Sequence, residues 1–215
     1  VKQDWQQVLG NLKGRSVDGP QNFAAHTSLI AKQLRLVEGL LTYFGLENDS
    51  DPALFHLVRA SLYEAPALTE YLGQARALGN VALTRGSANA ADRQRIAALV
   101  ERVDERAESM KREFGMAFER NADARAQLEG ALLTALKKVS ATTQLTQKEI
   151  IGVDTLSYTA RDYFANYTDT IDTQFKLNDS AAKVLGKEAD SIASQLRKEQ
   201  LSVTGLIVLL TVVAA

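Results

Sequence analysis

The sequence predicts an all-α fold: an elongated antiparallel four-helix bundle, either single or built of two stacked helical modules, whose last helix runs into a transmembrane segment. Three observations predict it. The 215 residues hold only three prolines, Pro20, Pro52 and Pro66, among many Ala, Leu, Glu, Gln, Lys and Arg, the residues that lose least on entering a helix. Apolar positions recur at alternating spacings of three and four. The chain closes on RKEQLSVTGLIVLLTVVAA, in which charge stops at Glu199.

Each element has its own signal. A short helix over 3–13 ends at Gly14. A helix over 20–46 carries one stripe of Ile30, Leu34, Val37, Leu41 and Phe44; Asp18 ahead of Pro20 starts it, because the carboxylate accepts free N–H groups and an early proline loses no bond. Asp51 before Pro52 repeats that arrangement, and Leu54, Val58, Leu62, Leu68 and Leu72 carry a helix to about residue 77, bent where Pro66 removes a backbone bond. The stretch TRGSANAAD (84–92) is a turn. Ile96, Val100, Val103, Ala107, Met110, Phe114, Ala117, Asn121, Ala124 and Leu128 predict one long rod reaching about 139 and on toward 150. Gly152 and Asp154 mark a stop and a new cap. The last stripe is Phe164, Ile171, Phe175, Asn178, Ala182, Leu185, Ala189, Ile192 and Leu196, and its register leads into 201–215. Asn121 and Asn178 are either buried amides that fix helix pairing, and so specify a dimer, or edge residues facing water.

Residues 201–215 carry no charge. A spanning helix needs about 20 apolar residues. The run reads as the start of a truncated transmembrane helix, since a lone terminal strand would find no partner strand in this sequence. The expected organisation is an extracytoplasmic helical domain over 1–200 and the membrane helix over 201–215. With Val1 at its start, the chain reads as a piece of a longer protein that leaves one membrane segment and returns to the next.

Composition excludes several functions. With 25 basic and 26 acidic residues there is no cationic excess for nucleic acid. The absence of cysteine removes disulfides, thiolate zinc sites and a cysteine nucleophile. His26 and His56 form no HxxxH pair, and the acidic loop Glu47, Asp49 and Asp51 lacks the glycine and distant glutamate of a calcium loop. With no nucleophile elbow or phosphate-cradling glycine loop, the expectation is a non-enzyme without cofactor or metal.

In an up-down-up-down bundle the far tip gathers Tyr43, His56, Arg59, Lys148, Tyr158 and Arg161, a candidate ligand site in which guanidinium forks beside aromatic rings suit a small carboxylate or similar anion. The alternative is that Glu149, Asp154 and Asp162 pair with these cations on a wet surface. Arg35 and Arg76 read as solvated flank residues.

The segment 23–83 carries Phe23, His26, Leu29 and Ile30 on an early helix. Gly45-Leu46, an Asp-Pro turn, Pro66, and Leu72-Gly73 with Arg76-Ala77-Leu78-Gly79 follow. In these features it resembles the periplasmic sensor regions of bacterial methyl-accepting chemotaxis proteins and of some transmembrane histidine kinases. Where many relatives have a Tyr-Tyr pair this chain has Leu54-Phe55-His56, so a specificity tied to those tyrosines does not carry over. The resemblance implies a ligand-sensing ectodomain in the periplasm, anchored in the bacterial inner membrane by its C-terminal helix. It further implies a homodimer that passes a small helix displacement to a cytoplasmic signalling domain. The alternatives are the ectodomain of a sensor kinase or other signalling enzyme, and a protein-docking helical spacer without a small ligand.

Overall fold

The computed structural model describes residues 1–14, 16–46 and 51–214, with side chains as far as Thr204; no strand occurs among the described residues. Helix α1 (Lys2–Gly14) and helix α2 (Gly19–Tyr43) form an antiparallel hairpin, tied where Lys32 Nζ donates to Asp4 Oδ1 at 2.6 Å. Asp18 opens α2 through a reciprocal cap: its carboxylate accepts the Gln21 N–H at 2.8 Å, and the Gln21 side chain accepts the Asp18 N–H at 3.3 Å. Asp51 likewise accepts from Ala53 and Leu54 at the start of α3 (Pro52–Val58).

From α3 the chain passes through a π-helical segment, Arg59–Glu64, into α4 (Ala65–Arg85). Pro66 is the physical reason. It has no N–H for the carbonyl four residues back, and the wider turn ahead of it is closed by the Ala65 N–H bonding to Ala60 O. The expected bend is therefore a widened turn, and the helix runs to Arg85 rather than stopping near 77. Gly86, with φ of 71°, ends α4, and Asn89 with Asp92 builds a second reciprocal cap for α5 (Ala90–Phe118).

The expected single rod is two helices. Helix α5 ends at Phe118 and α6 (Ala122–Thr146) turns back along it. Asn121 makes the break: its Oδ1 accepts the Ala124 N–H at 2.8 Å while its Nδ2 donates to Glu188 Oε1 at 2.8 Å. It is thus a helix cap, not a stripe residue of either kind expected. A second π-helical segment, Gln147–Ile151, ends α6. Helix α7 (Ala160–Ala214) is capped by Thr159, whose Oγ1 accepts the Asp162 N–H and donates to the Asp162 carboxylate; Asp154 is not the cap. Counting Pro52 through Arg85 as one path, the described residues form six helical rods, where a short helix and four long ones are expected.

Helices α4 to α7 share one core, centred on Leu68, Leu72, Val103, Met110, Leu128 and Leu177, all essentially fully buried. Each such side chain contributes roughly 1.5–3 kcal/mol. The α1–α2 hairpin lies outside it, against α4. A smaller cluster of Leu41, Leu54 and Val58, with Leu185 and Ile192 beside it, joins the end of α2 to α3 and α7.

The buried stripe of α7 lies one residue away from the expected one. Tyr163, Tyr167, Thr170, Gln174, Leu177, Ala181 and Val184 point inward, whereas Phe164 and Phe175 are 45% and 54% exposed; of the expected set, Ile171 is buried. The tyrosines can be buried because their hydroxyls find partners. Tyr167 bonds Thr146 Oγ1 at 2.6 Å, Tyr163 donates to Ala75 O at 3.2 Å, and Thr142 reaches Thr170 and Asn166. Burial pushes both phenols up, so they stay neutral donors. Asn178 is half-buried, with its Oδ1 shut from solvent and no partner among the described residues.

The α7 backbone is helical through Ala214, across the boundary drawn at residue 200. Among the described residues no helix is long and apolar enough to cross a membrane. Most of the expected transmembrane run, 205–215, lies outside the residues whose side chains are described, as do Glu47 and Asp49 of the acidic loop.

Gly79 yields the first prediction. A Cβ there would stand 2.3–2.5 Å from the Tyr163 ring and hydroxyl, whereas one at Gly115 meets nothing within 4 Å. Gly79→Ala should lose about 1–3 kcal/mol in urea unfolding despite its gain in helix propensity. Gly115→Ala should be neutral or stabilised by up to about 1 kcal/mol.

Candidate functional site

The path of the chain gives the molecule two ends. One holds the 86–89 turn and the loop 152–159, joined by Arg93, whose guanidinium donates to the carbonyls of Ile150, Ile151 and Asp154. The other holds the 119–121 turn, the end of α2, the start of α3 and the 185–192 stretch of α7. The six residues expected at one tip divide between these ends. Tyr43, 81% exposed, lies at the second end, with His56 and Arg59 in the same half, whereas Lys148, Tyr158 and Arg161 belong to the first. The break at 119–121 is the reason: α6 turns back along α5, so the loop 152–159 lies at the end that holds the 86–89 turn.

His56 and Arg59 do come together, on a carboxylate that sequence reading did not single out. Glu113 on α5 takes His56 Nδ1 at 2.7 Å and Arg59 Nε at 3.2 Å. Glu64, with a side chain only 6% exposed, sits between Arg106 at 3.0 Å and Arg59 at 3.8 Å. The Glu64 hydrogen bond holds the Arg106 guanidinium above its ordinary value. In this lattice every cation already faces a carboxylate, so it braces the π-helical segment against α5 and offers an incoming anion little. Lys148 pairs with Glu149 on the surface, and Tyr158 packs on the core edge.

A different cation is left available. Arg76, read from sequence as a solvated flank, is half-buried where α4 meets α7. Its Nη1 donates to Thr168 Oγ1 at 2.8 Å, and its guanidinium lies 4.6 Å from the centre of the Phe164 ring. No salt bridge reaches it among the described residues. Burial pulls its pKa down, and the opposing charge of Asp172 offsets this only in part. This guanidinium borders a cleft of about 310 Å³ between α2, α4 and α7. Phe23, His26 and Ile30 come from α2, Thr69, Glu70 and Gly73 from α4, and Ile171 and Phe175 from α7. Glu70 also faces this space; Gln74 Nε2 donates to it at 2.7 Å, and burial pushes its carboxyl up.

The arrangement can bind an anion without a metal. A guanidinium turned partly away from water, with one donor spent on a hydroxyl, keeps further N–H groups for a planar oxyanion. His26 on α2 lines the wall facing α4. No group of His, Asp and Glu that could hold a metal ion occurs among the described residues.

Comparison with known protein families gives a match. A family model described as nitrate and nitrite sensing covers residues 6–186, a range that includes every residue lining the cleft. No curated protein and no solved structure matches the chain. The family consists of helical sensing domains of signalling proteins, which refines the chemotaxis-receptor resemblance to a sensor class without fixing the output. The chain belongs to the nitrate and nitrite sensing family.

Proposed function

We propose that this protein senses nitrate or nitrite in the cleft between α2, α4 and α7, and that it forms the periplasmic part of a transmembrane signalling receptor. The observation that carries this reading is Arg76, a half-buried guanidinium with a hydroxyl and a ring for company and no carboxylate in bonding distance. Nitrate is planar, singly charged and weakly hydrated, and a guanidinium shares those properties with opposite sign, so their pairing loses little hydration on each side.

Function in this reading is binding rather than catalysis. The ligand would touch three helices at once, and one of them, α7, supplies Thr168 and Phe164 behind Arg76 as well as Ile171 and Phe175 on the cleft wall. Binding that favours one position of α7 over another shifts the population toward it; equal affinity for both would transmit nothing. Helix α7 continues unbroken to Ala214, which supports its role as the rod into the membrane. The exposed apolar residues Leu36 and Leu40 on α2, with Phe44 just past its end, suit a homodimer at the same end.

Two measurements test the reading. By titration calorimetry, Arg76→Gln should weaken nitrate binding by roughly 10–100-fold with the fold intact, and Arg76→Lys should restore little, because a point charge lacks the planar fork. Unchanged affinity in Arg76→Gln would place the site elsewhere. In the full-length receptor, a Gly-Gly insertion after Ser194 should leave nitrate affinity unchanged and abolish the signalling response. A preserved response would rule out the rod.

A further inference from the structure

We propose that Glu70 sets the charge class of the ligand, confining the cleft to monoanions and keeping out dianions such as sulfate and hydrogen phosphate; this rests on the anion reading of Arg76. Glu70 lines the same cleft as Arg76 and His26, and its carboxyl accepts from Gln74 Nε2 at 2.7 Å. No cation pairs with it among the described residues. An anion entering beside Arg76 therefore meets a carboxyl group that is neither neutralised by an ion pair nor fully in water.

Charge counting then discriminates between ligands. The groups facing the cleft are His26 from α2, Glu70 and Arg76 from α4, with Asp172 on α7 acting on Arg76. One guanidinium can attract one delocalised negative charge, and the two carboxyls leave no positive charge over for a second. A second charge on the ligand doubles the repulsion from Glu70 and brings a far larger hydration loss, with no further fixed cation to offset it. Burial already presses Glu70 toward its neutral form, and a neutral carboxyl can donate its O–H to a nitrate oxygen. A site for multivalent oxyanions would need the opposite design, with several cations and no carboxyl group facing the ligand.

The experiment is titration calorimetry of the protein and of Glu70→Gln with nitrate, nitrite, sulfate and phosphate, repeated across about pH 8 to 5. Glu70→Gln keeps the side-chain volume and the Gln74 contact. The wild type should bind nitrate and ignore sulfate, and Glu70→Gln should raise sulfate affinity relative to nitrate by about tenfold or more. In the wild type, lowering the pH should narrow the same ratio, since neither ligand titrates in that window. The part of this dependence lost in Glu70→Gln belongs to Glu70. A sulfate-to-nitrate ratio unchanged by the substitution, with nitrate still bound, overturns the role of Glu70 and leaves the Arg76 site standing. If Glu70→Gln does not fold, the wild-type pH series decides alone, and a flat ratio overturns the proposal. A wild type silent to all four anions removes the anion reading itself.

Discussion

The contact on which the rest depends is Tyr163 laid over Gly79, with its hydroxyl bonded to Ala75 O. Glycine is required there because the ring occupies the space of a Cβ. The contact sets how closely α4 and α7 approach and in what register. The next residue on each helix then falls outside the core in a fixed relation: Arg76 follows Ala75, Phe164 follows Tyr163, and the two stack at 4.6 Å. The cleft is thus the outer edge of a buried seam. Its geometry is inherited from packing that no ligand touches.

Around that contact runs a polar line through an otherwise apolar core. Thr142, Thr146, Tyr167 and Thr170 exchange hydrogen bonds between α6 and α7, and Gln174 Nε2 donates to Ala135 O. Such bonds add little net stability over matched apolar packing, but a misaligned register would leave several of them buried and unpaired. They favour one alignment of α7 over its neighbours. The proposed reporting through the position of α7 would need such discrete alignments rather than a continuum.

What could be read in the sequence was local. Asp18, Asp51 and Gly14 announced helix ends through side chains that act within one turn, and the structure places the ends there. Apolarity is a poor proxy for burial at two places: periodicity favours Phe164 and Phe175 over Tyr163 and Tyr167, and it carries a stripe through Asn121, which is a cap. The tyrosines are buried because Thr146 and Ala75 accept their hydroxyls, and those partners lie on other helices, which periodicity does not see. Arg76 was missed for the same reason: α7 lies against it. A local hint existed in Gly73, Arg76 and Ala77, a cation between small residues on one helical face, where another helix can approach closely. Glu113 and Glu64 could be found only from the fold, since each holds partners on a different helix.

The π-helical segment Arg59–Glu64 has a further effect on how the chain distributes its contacts. Ahead of Pro66 the buried residues come in adjacent pairs, Ala53 with Leu54, Leu57 with Val58, Ala60 with Ser61 and Glu64 with Ala65; beyond it they come singly, at Leu68, Leu72, Ala75 and Gly79, until Ala82 and Leu83 pair again near the helix end. An added residue in one turn swings the inward face of a helix around its axis. A single uninterrupted length of backbone can therefore wedge between two clusters at its lower half and lie flat against one at its upper half, leaving a flank of α4 free to form a wall of the cleft. A plain α-helix of the same length would present one face throughout, and would have to give up either the wedge or the wall.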